Sequence, residues 1–245
     1  VTANEKLINE ATRTFEHPNV RPSDSASLII VDRRAGVPYV LMGKRSERHV
    51  FYPGAFVFPG GRVDPRDGHA PLAGDLDPAT RTRLLTRMRG RTSEHRARAI
   101  ALAGIREAFE EAGILIGRPG KPHKSAPADW QLFLSHGLLP DLSRLAFIMR
   151  AITPPRRPRR FDNRFFAVEA DAIALELPAS RRPSDELGEL IWLPIEEARS
   201  LKIPAVTQVA LNELEDRLAA PGGLAADLPV PYYHAIRQKF LRELL

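Results

Sequence analysis

Residues 106–114 read Arg106-Glu107-Ala108-Phe109-Glu110-Glu111-Ala112-Gly113-Ile114. Placed on a helix at ~100° per residue, this stretch separates into two faces. Ala101, Leu102, Ile105, Ala108, Phe109 and Ala112 share one apolar sector fit for a core. Glu107, Glu110 and Glu111 fall opposite, at i, i+3 and i+4, and Gly113 stands where a helix ends in a left-handed cap. The arrangement is locally unfavourable. Neighbouring carboxylates on a helix repel by roughly a few tenths of a kcal/mol per pair. They also crowd the last turn, where the helix dipole prefers cations. A hard divalent cation reverses both penalties, because Mg²⁺ and Mn²⁺ choose carboxylate oxygen. A charged face left in solvent is the plainer alternative, and the rest of the chain has to decide.

A chain of 245 residues holds one large domain or two small ones. With 43% hydrophobic and 27% charged residues it has the balance of a globular protein. It has no cysteine, which excludes a disulfide framework, a thiolate metal site and a thiolate nucleophile. The start of the chain, with Glu5, Lys6 and Glu10, shows no apolar signal region. No run approaches the ~18 apolar residues of a membrane span. A cytoplasmic protein with no membrane partner is therefore expected. The 36 Lys and Arg against 30 Asp and Glu give a net charge of +6. Such an excess suits nucleic acid, a membrane surface or a small polyanion. Its arginines concentrate at 81–98 and again at 156–164.

Along the chain, residues 4–16 read as a short helix ended by Pro18 and Pro22. Ser25–Val31 and Tyr39–Met42, separated by a turn at Gly36-Val37-Pro38, read as paired strands. Phe51–Phe58 is a short aromatic strand closed by Pro59-Gly60-Gly61, a turn that frees backbone N–H groups for close approach to a ligand. Asp77-Pro78 caps a helix over Ala79–Met88, and Ser93-Glu94 starts the helix of the glutamates. Further on, Ala128–Ser135 reads as a helix, Leu145–Ile152 and Asn163–Glu169 as strands, and Asp171–Leu177 as an extension of the sheet. Leu190–Leu193 is a strand and Pro194 opens a helix over Ile195–Leu201. Val206–Leu218 and Tyr233–Leu244 read as helices. Mixed strands with helices between them suit one domain with helices on both faces of a mixed sheet.

The Gly-Gly turn after a strand, acidic residues soon after it, and the stretch Arg106–Ile114 together resemble the signature of the Nudix hydrolases. That signature runs Gly, five residues, Glu, seven residues, then Arg-Glu-U-X-Glu-Glu-X-Gly-U, with U aliphatic. Gly61 takes the first place, and Arg106, Glu107, Ala108, Glu110, Glu111, Gly113 and Ile114 fit the second half. The chain departs from the pattern at the early Glu, where Asp67 stands, with Asp64 nearby, and residues 68–105 replace the seven-residue spacer. The blocks at 51–64, 106–115 and 160–166, with the long insertion between the first two, resemble the branch containing the peroxisomal coenzyme A diphosphatases.

The resemblance implies a Nudix-type α/β/α sandwich with a mixed β-sheet. The single domain would carry a helical insertion at about 68–99 and a helical C-terminal extension at about 204–245. It also implies metal-dependent hydrolysis of a nucleoside-linked diphosphate. Coenzyme A or acyl-CoA would give 3′,5′-ADP and 4′-phosphopantetheine or its acylated form. ADP-ribose, a nucleotide sugar and capped RNA are the rival substrates, and a non-catalytic nucleotide- or nucleic-acid-binding module is the rival class. Glu107, Glu110 and Glu111 would hold Mg²⁺ or Mn²⁺, with Arg106 orienting a glutamate and Gly61 giving close backbone approach. Glu186, in the loop before Trp192, is the candidate further carboxylate or base, and Glu189 the second choice. From the charge distribution, Arg81, Arg83 and Arg87 are the candidates for a substrate phosphate. The expected partners are a small-molecule diphosphate and, beyond it, a second copy of the chain as a homodimer. The arginine run at 156–160 lacks interleaved aromatics, so nucleic acid is not expected.

Overall fold

The computed structural model describes residues 2–10, 17–47, 52–121, 126–225, 227–236 and 239–245. Its centre is a mixed sheet of nine strands among the described residues. The chain enters through helix α1 (Ala3–Glu10) and strand β1 (Ser23–Arg34), which turns at Ala35-Gly36 into β2 (Val37–Arg45). The expected continuation of α1 to residue 16, and the start of the aromatic strand at Phe51, lie outside the described residues. β3 (Phe56–Val57) pairs with β2, and β4 (Gly60–Arg62) pairs with β1.

A 3₁₀ turn at Pro65–His69 and helix α2 (Pro78–Leu85) lead to α3 (Glu94–Ala112), the long helix of the glutamates. α3 starts where its cap requires, with the Ser93 side chain accepting from Arg96 N–H, and stops at Gly113, left-handed at φ 70°. β5 (Ile114–Pro119), α4 (Ala128–Leu134), β6 (Leu138–Pro140), β7 (Ala146–Ile152), β8 (Phe161–Glu169) and β9 (Ile173–Glu176) follow. The chain then runs through β10 (Leu187–Pro194), the turn-length α5 (Ile195–Ala198), α6 (Ala205–Ala219), β11 (Pro231–Ile236) and β12 (Lys239–Leu244). The sheet order is β10-β2-β1-β8-β7-β11-β12, parallel at β1–β8 and at β7–β11.

Alternation along β1 builds two cores. Ala26, Leu28 and Ile30 face α3 in a core with Ile105, Phe109, Trp130 and Phe166. Ile29 and Val31 face the other way, toward Val209, Ala210, Leu211 and Leu214 of α6 and Ile8 of α1. The layers are therefore α/β/α. Phe109, edge-on to Phe133 at 5.4 Å, shows what holds α3 down. Truncating such a side chain to alanine costs ~3–5 kcal/mol. No described helix is long and apolar enough to cross a membrane.

Two expected elements are corrected. Tyr233–Leu244 is not a helix but most of the antiparallel hairpin β11–β12, added in parallel to the edge of β7. Its Leu and Glu residues favour a helix locally. Tyr233 and Phe240, both buried in the α6-side core, are worth more against the open sheet edge. The segment read as Asp171–Leu177 leaves the main sheet. Its strand, β9, pairs with β5 in a separate three-stranded sheet β6-β5-β9.

Candidate active site

The site forms where the C-terminal half of α3 passes behind β4. Gly60 pairs with Ser27 and Gly61 with Ala26 of β1, and Gly60 N–H donates to Glu111 Oε2 at 2.9 Å. Both glycines are required by crowding. A Cβ on Gly60 would stand 2.6 Å from Ala26 O and Ser27 Oγ, and a Cβ on Gly61 would stand 2.4 Å from Glu107 Cδ and Oε1. Gly61 thus leaves space for a glutamate of the helix, a reason that its place in the sequence pattern did not reveal.

Arg106, largely buried, ties the acidic groups together. Its Nη1 lies 2.9 Å from Glu107 Oε1 and 3.0 Å from Glu110 Oε2. On its other edge Nε donates to Asp67 Oδ1 at 2.9 Å and Nη2 to Asp67 Oδ2 at 3.3 Å and to the Arg62 carbonyl at 2.9 Å. Asp67 is only 1% exposed. It also accepts from Trp130 Nε1 at 3.1 Å and from Asp64 N–H at 3.0 Å. Four donors fill its two oxygens, so its geometry is that of an anchor for Arg106. Asp64 caps the 3₁₀ turn and pairs with Arg66. Trp130 was not among the residues singled out for the site, since its link to Asp67 spans two distant segments.

Glu186 reaches the same place. Ser184 N–H donates to the Glu110 carbonyl at 3.0 Å and Ser46 N–H to the Glu186 carbonyl at 3.2 Å, which ties the loop before β10 to α3 and to the end of β2. Arg45, at that strand end, pairs with Glu186 Oε1 at 2.9 Å. Its role was not expected from the sequence, since the partner lies 141 positions along the chain. Glu189 is exposed, beside Lys44 in register.

Burial pushes the Glu107 carboxyl up to about 7, with Glu110 and Glu186 adding to the rise against the pull of Arg106. Burial, then the charges of Glu107 and Glu186, holds Glu111 well above the usual carboxylate range. Burial also raises Glu110, opposed by Arg106. Burial works against the charge of Arg106, but Glu107, Asp67 and Glu110 outweigh it and keep the guanidinium protonated. Carboxylates that raise one another in this way attract a cation.

The structure does not bring Arg81, Arg83 and Arg87 to these glutamates. Arg81 pairs with Glu94 at 3.7 Å, about 20 Å up α3 from Glu107 at 1.5 Å per residue. Arg83 pairs with Asp227 before β11, and Arg87 with Glu243 on β12.

No family model and no curated protein matches the chain. Among solved structures it is similar to a Nudix hydrolase from Alicyclobacillus acidocaldarius, at 26% identity over 79% of this chain and 90% of that one, with a TM-score of 0.56. The MutT protein from Methanosarcina mazei Go1 is 15% identical over 84% of this chain and all of that one (100%), with a TM-score of 0.46. The Nudix domain of Shewanella oneidensis NrtR, solved with ADP ribose, is 11% identical over 89% and 100%, with a TM-score of 0.45. The first of these carries the weight. The fold is that of the Nudix hydrolases, and the likeness supports placing the chain among them. It is an enzyme of the class acting on phosphorus-containing anhydrides.

Proposed function

We propose that the protein hydrolyses the diphosphate linkage of a nucleoside diphosphate derivative, and that coenzyme A or acyl-CoA is its substrate. One observation carries the hydrolase reading. Glu107, Glu110 and Glu111 from α3 and Glu186 from a distant loop are gathered around Gly60-Gly61, where Arg106 and Arg45 hold them. Coenzyme A as the substrate is supported by the sequence blocks at 51–64, 106–115 and 160–166 and by the net positive charge.

The donor set fits Mg²⁺ or Mn²⁺ in kind, since it is all carboxylate oxygen and its members raise one another's pKa. Among the described residues no three acidic or histidine side chains already form a ligand shell. Arg106 draws Glu107 and Glu110 to itself instead. Glu107, Glu110 and Glu111 are the residues that would hold the ion. Bound there, it would neutralise phosphate charge and lower the pKa of a water. The protein's own part is orientation and proton transfer. Asp67 fixes Arg106, Arg106 aims Glu107 and Glu110, and Glu186 is the carboxylate proposed to take the proton of the attacking water. Products from coenzyme A are 3′,5′-ADP and 4′-phosphopantetheine.

The test is hydrolysis of a panel of diphosphates with Mg²⁺ or Mn²⁺, with coenzyme A beside dephospho-coenzyme A. An enzyme that reads the 3′-phosphate prefers coenzyme A by ~1.5–3 kcal/mol in kcat/KM, the range of a charged hydrogen bond. Equal rates on both overturn the substrate, and no hydrolysis of any diphosphate overturns the enzyme.

A further inference from the structure

A second charged centre lies at the other end of α3. A cavity of about 300 Å³ is lined by Arg21 and Pro22 before β1, by Arg89, Gly90 and Arg91 between α2 and α3, and by Arg96 on the first turn of α3. Asp24 and Asp162 form its floor. Arg96 lies eleven positions before Glu107, which places the cavity about 16 Å from the glutamates along the helix.

The carboxylates of the floor are already spent. Asp24 accepts from Arg96 Nε at 2.6 Å and from Arg164 Nη1 at 2.7 Å. Asp162 is held on both oxygens by Arg150, at 2.8 and 2.7 Å, with Arg164 3.3 Å from it. Two acids therefore serve three arginines. Arg164 is fully buried, and its Nε and Nη2 find no partner among the described residues. Arg164 is thus charge-paired, yet keeps two buried donors without an acceptor.

Among the described residues the rim adds more charge without adding any acid. The guanidinium groups of Arg21, Arg89 and Arg91 have no carboxylate partner among the described residues. Arg21 Nη2 and Arg96 Nη1 stand 4.0 and 3.8 Å from where a Cβ on Gly90 would lie, so two forks flank one glycine in a left-handed turn at φ 75°. Arg96 also donates to the Arg89 carbonyl, which fixes the loop. Next to them Arg160, among the described residues, bonds only neutral groups, the carbonyls of Thr153 and Val20 and the Asn19 amide oxygen. Burial, then the charge of Arg89, lowers its pKa. Arginines serving solubility disperse, whereas these converge. The amino end of a 19-residue helix lies beside them and adds its dipole.

We infer that this cavity is a binding site for a phosphate group, separate from the glutamate site, with Arg21, Arg89, Arg91 and Arg96 as its donors. Guanidinium forks match phosphate oxygens two at a time, and the volume, at the small end for ligand pockets, suits a phosphomonoester. The phosphate belongs either to a distal part of the substrate or to a separate phosphorylated metabolite.

The test uses the full chain in EDTA, so that the glutamate site takes no metal-linked phosphate. Inorganic phosphate is titrated while the thermal midpoint is followed, with sodium chloride at matched ionic strength as control. Phosphate should raise the midpoint where chloride does not. Arg21→Gln and Arg91→Gln, exposed and without ion pairs among the described residues, should fold normally and weaken the apparent phosphate affinity about tenfold each. Glu110→Gln should leave it unchanged. Equal effects of phosphate and chloride overturn the site, as does wild-type phosphate affinity in both arginine variants. Steady-state kinetics then separate the sources. Arg91→Gln raises KM if the phosphate is part of the substrate, and leaves KM unchanged while still weakening phosphate binding if the ligand is separate.

Discussion

Replacing Asp67 by asparagine separates an anchor from a metal ligand, since the two roles give opposite readouts. Asp67 receives four hydrogen bonds, from Arg106 Nε and Trp130 Nε1 on one oxygen and from Asp64 N–H and Arg106 Nη2 on the other. Asparagine offers one oxygen and one NH₂. Whichever way the amide turns, two of these donors then face another donor. At about 1–3 kcal/mol for each buried group left unsatisfied, the loss is roughly 2–6 kcal/mol. Breaking a buried ion pair from one side, counted as a whole, costs ~3–5 kcal/mol, and the two counts agree near 4. In a chain of this size that is a fall of roughly 8–16 °C in Tm. Thermal unfolding followed by circular dichroism in EDTA measures it with no metal present. Arg106 keeps Glu107 and Glu110 in the variant, so some activity persists with a lower kcat. An Asp67→Asn protein with unchanged Tm in EDTA and a raised metal requirement would falsify the anchor and make Asp67 a ligand.

Other outcomes follow from the same geometry. Glu110→Gln and Glu111→Gln should each lower turnover by roughly 10³-fold, as expected for loss of a metal ligand, while Tm in EDTA does not fall. Near-wild-type turnover in both at saturating metal refutes their assignment. Gly61→Ala puts a Cβ 2.4 Å from the Glu107 carboxyl, which must move. Stability should drop by about 1–3 kcal/mol, as for overpacking elsewhere, and kcat should fall with it. A fully active Gly61→Ala enzyme would show that Glu107 is free to shift. A fourth concerns Glu213 of α6, which accepts from Arg242 at 2.8 and 3.0 Å and from Tyr233 and Asn4. Burial alone would raise its pKa, but Arg242, Tyr233 and Asn4 hold it below the ordinary 4.5. A depressed folded pKa stabilises above the unfolded value and loses that contribution as pH falls through the folded one. The stability gap between wild type and Glu213→Gln should therefore be full above about pH 5 and shrink below 4.5. A gap that does not change with pH removes the carboxylate from the account.

Local chemistry made some of this legible in the chain. A helix with an apolar face, a serine start and a glycine stop is determined by spacings of three and four residues, and α3 runs from Glu94 to Ala112 accordingly. Asp77 capping α2, the β1–β2 pair and α6 are equally local. The crowding of Glu107, Glu110 and Glu111 is likewise visible in sequence, because neighbours on a helix are neighbours in space. Tertiary structure decided the rest. The hairpin at Pro231–Leu244 depends on the unpaired edge of β7, which no local propensity encodes. Asp67 meets Arg106 across 39 positions and Trp130 across 63, and Glu186 reaches the glutamates only because its loop hangs from β2 and α3. The arginines at 89 and 91 look alike in sequence to those at 81, 83 and 87. Only the fold separates those that found a carboxylate in Glu94, Asp227 and Glu243 from those that line a cavity together. Charge can be counted along a chain, but its compensation is a property of distances in space.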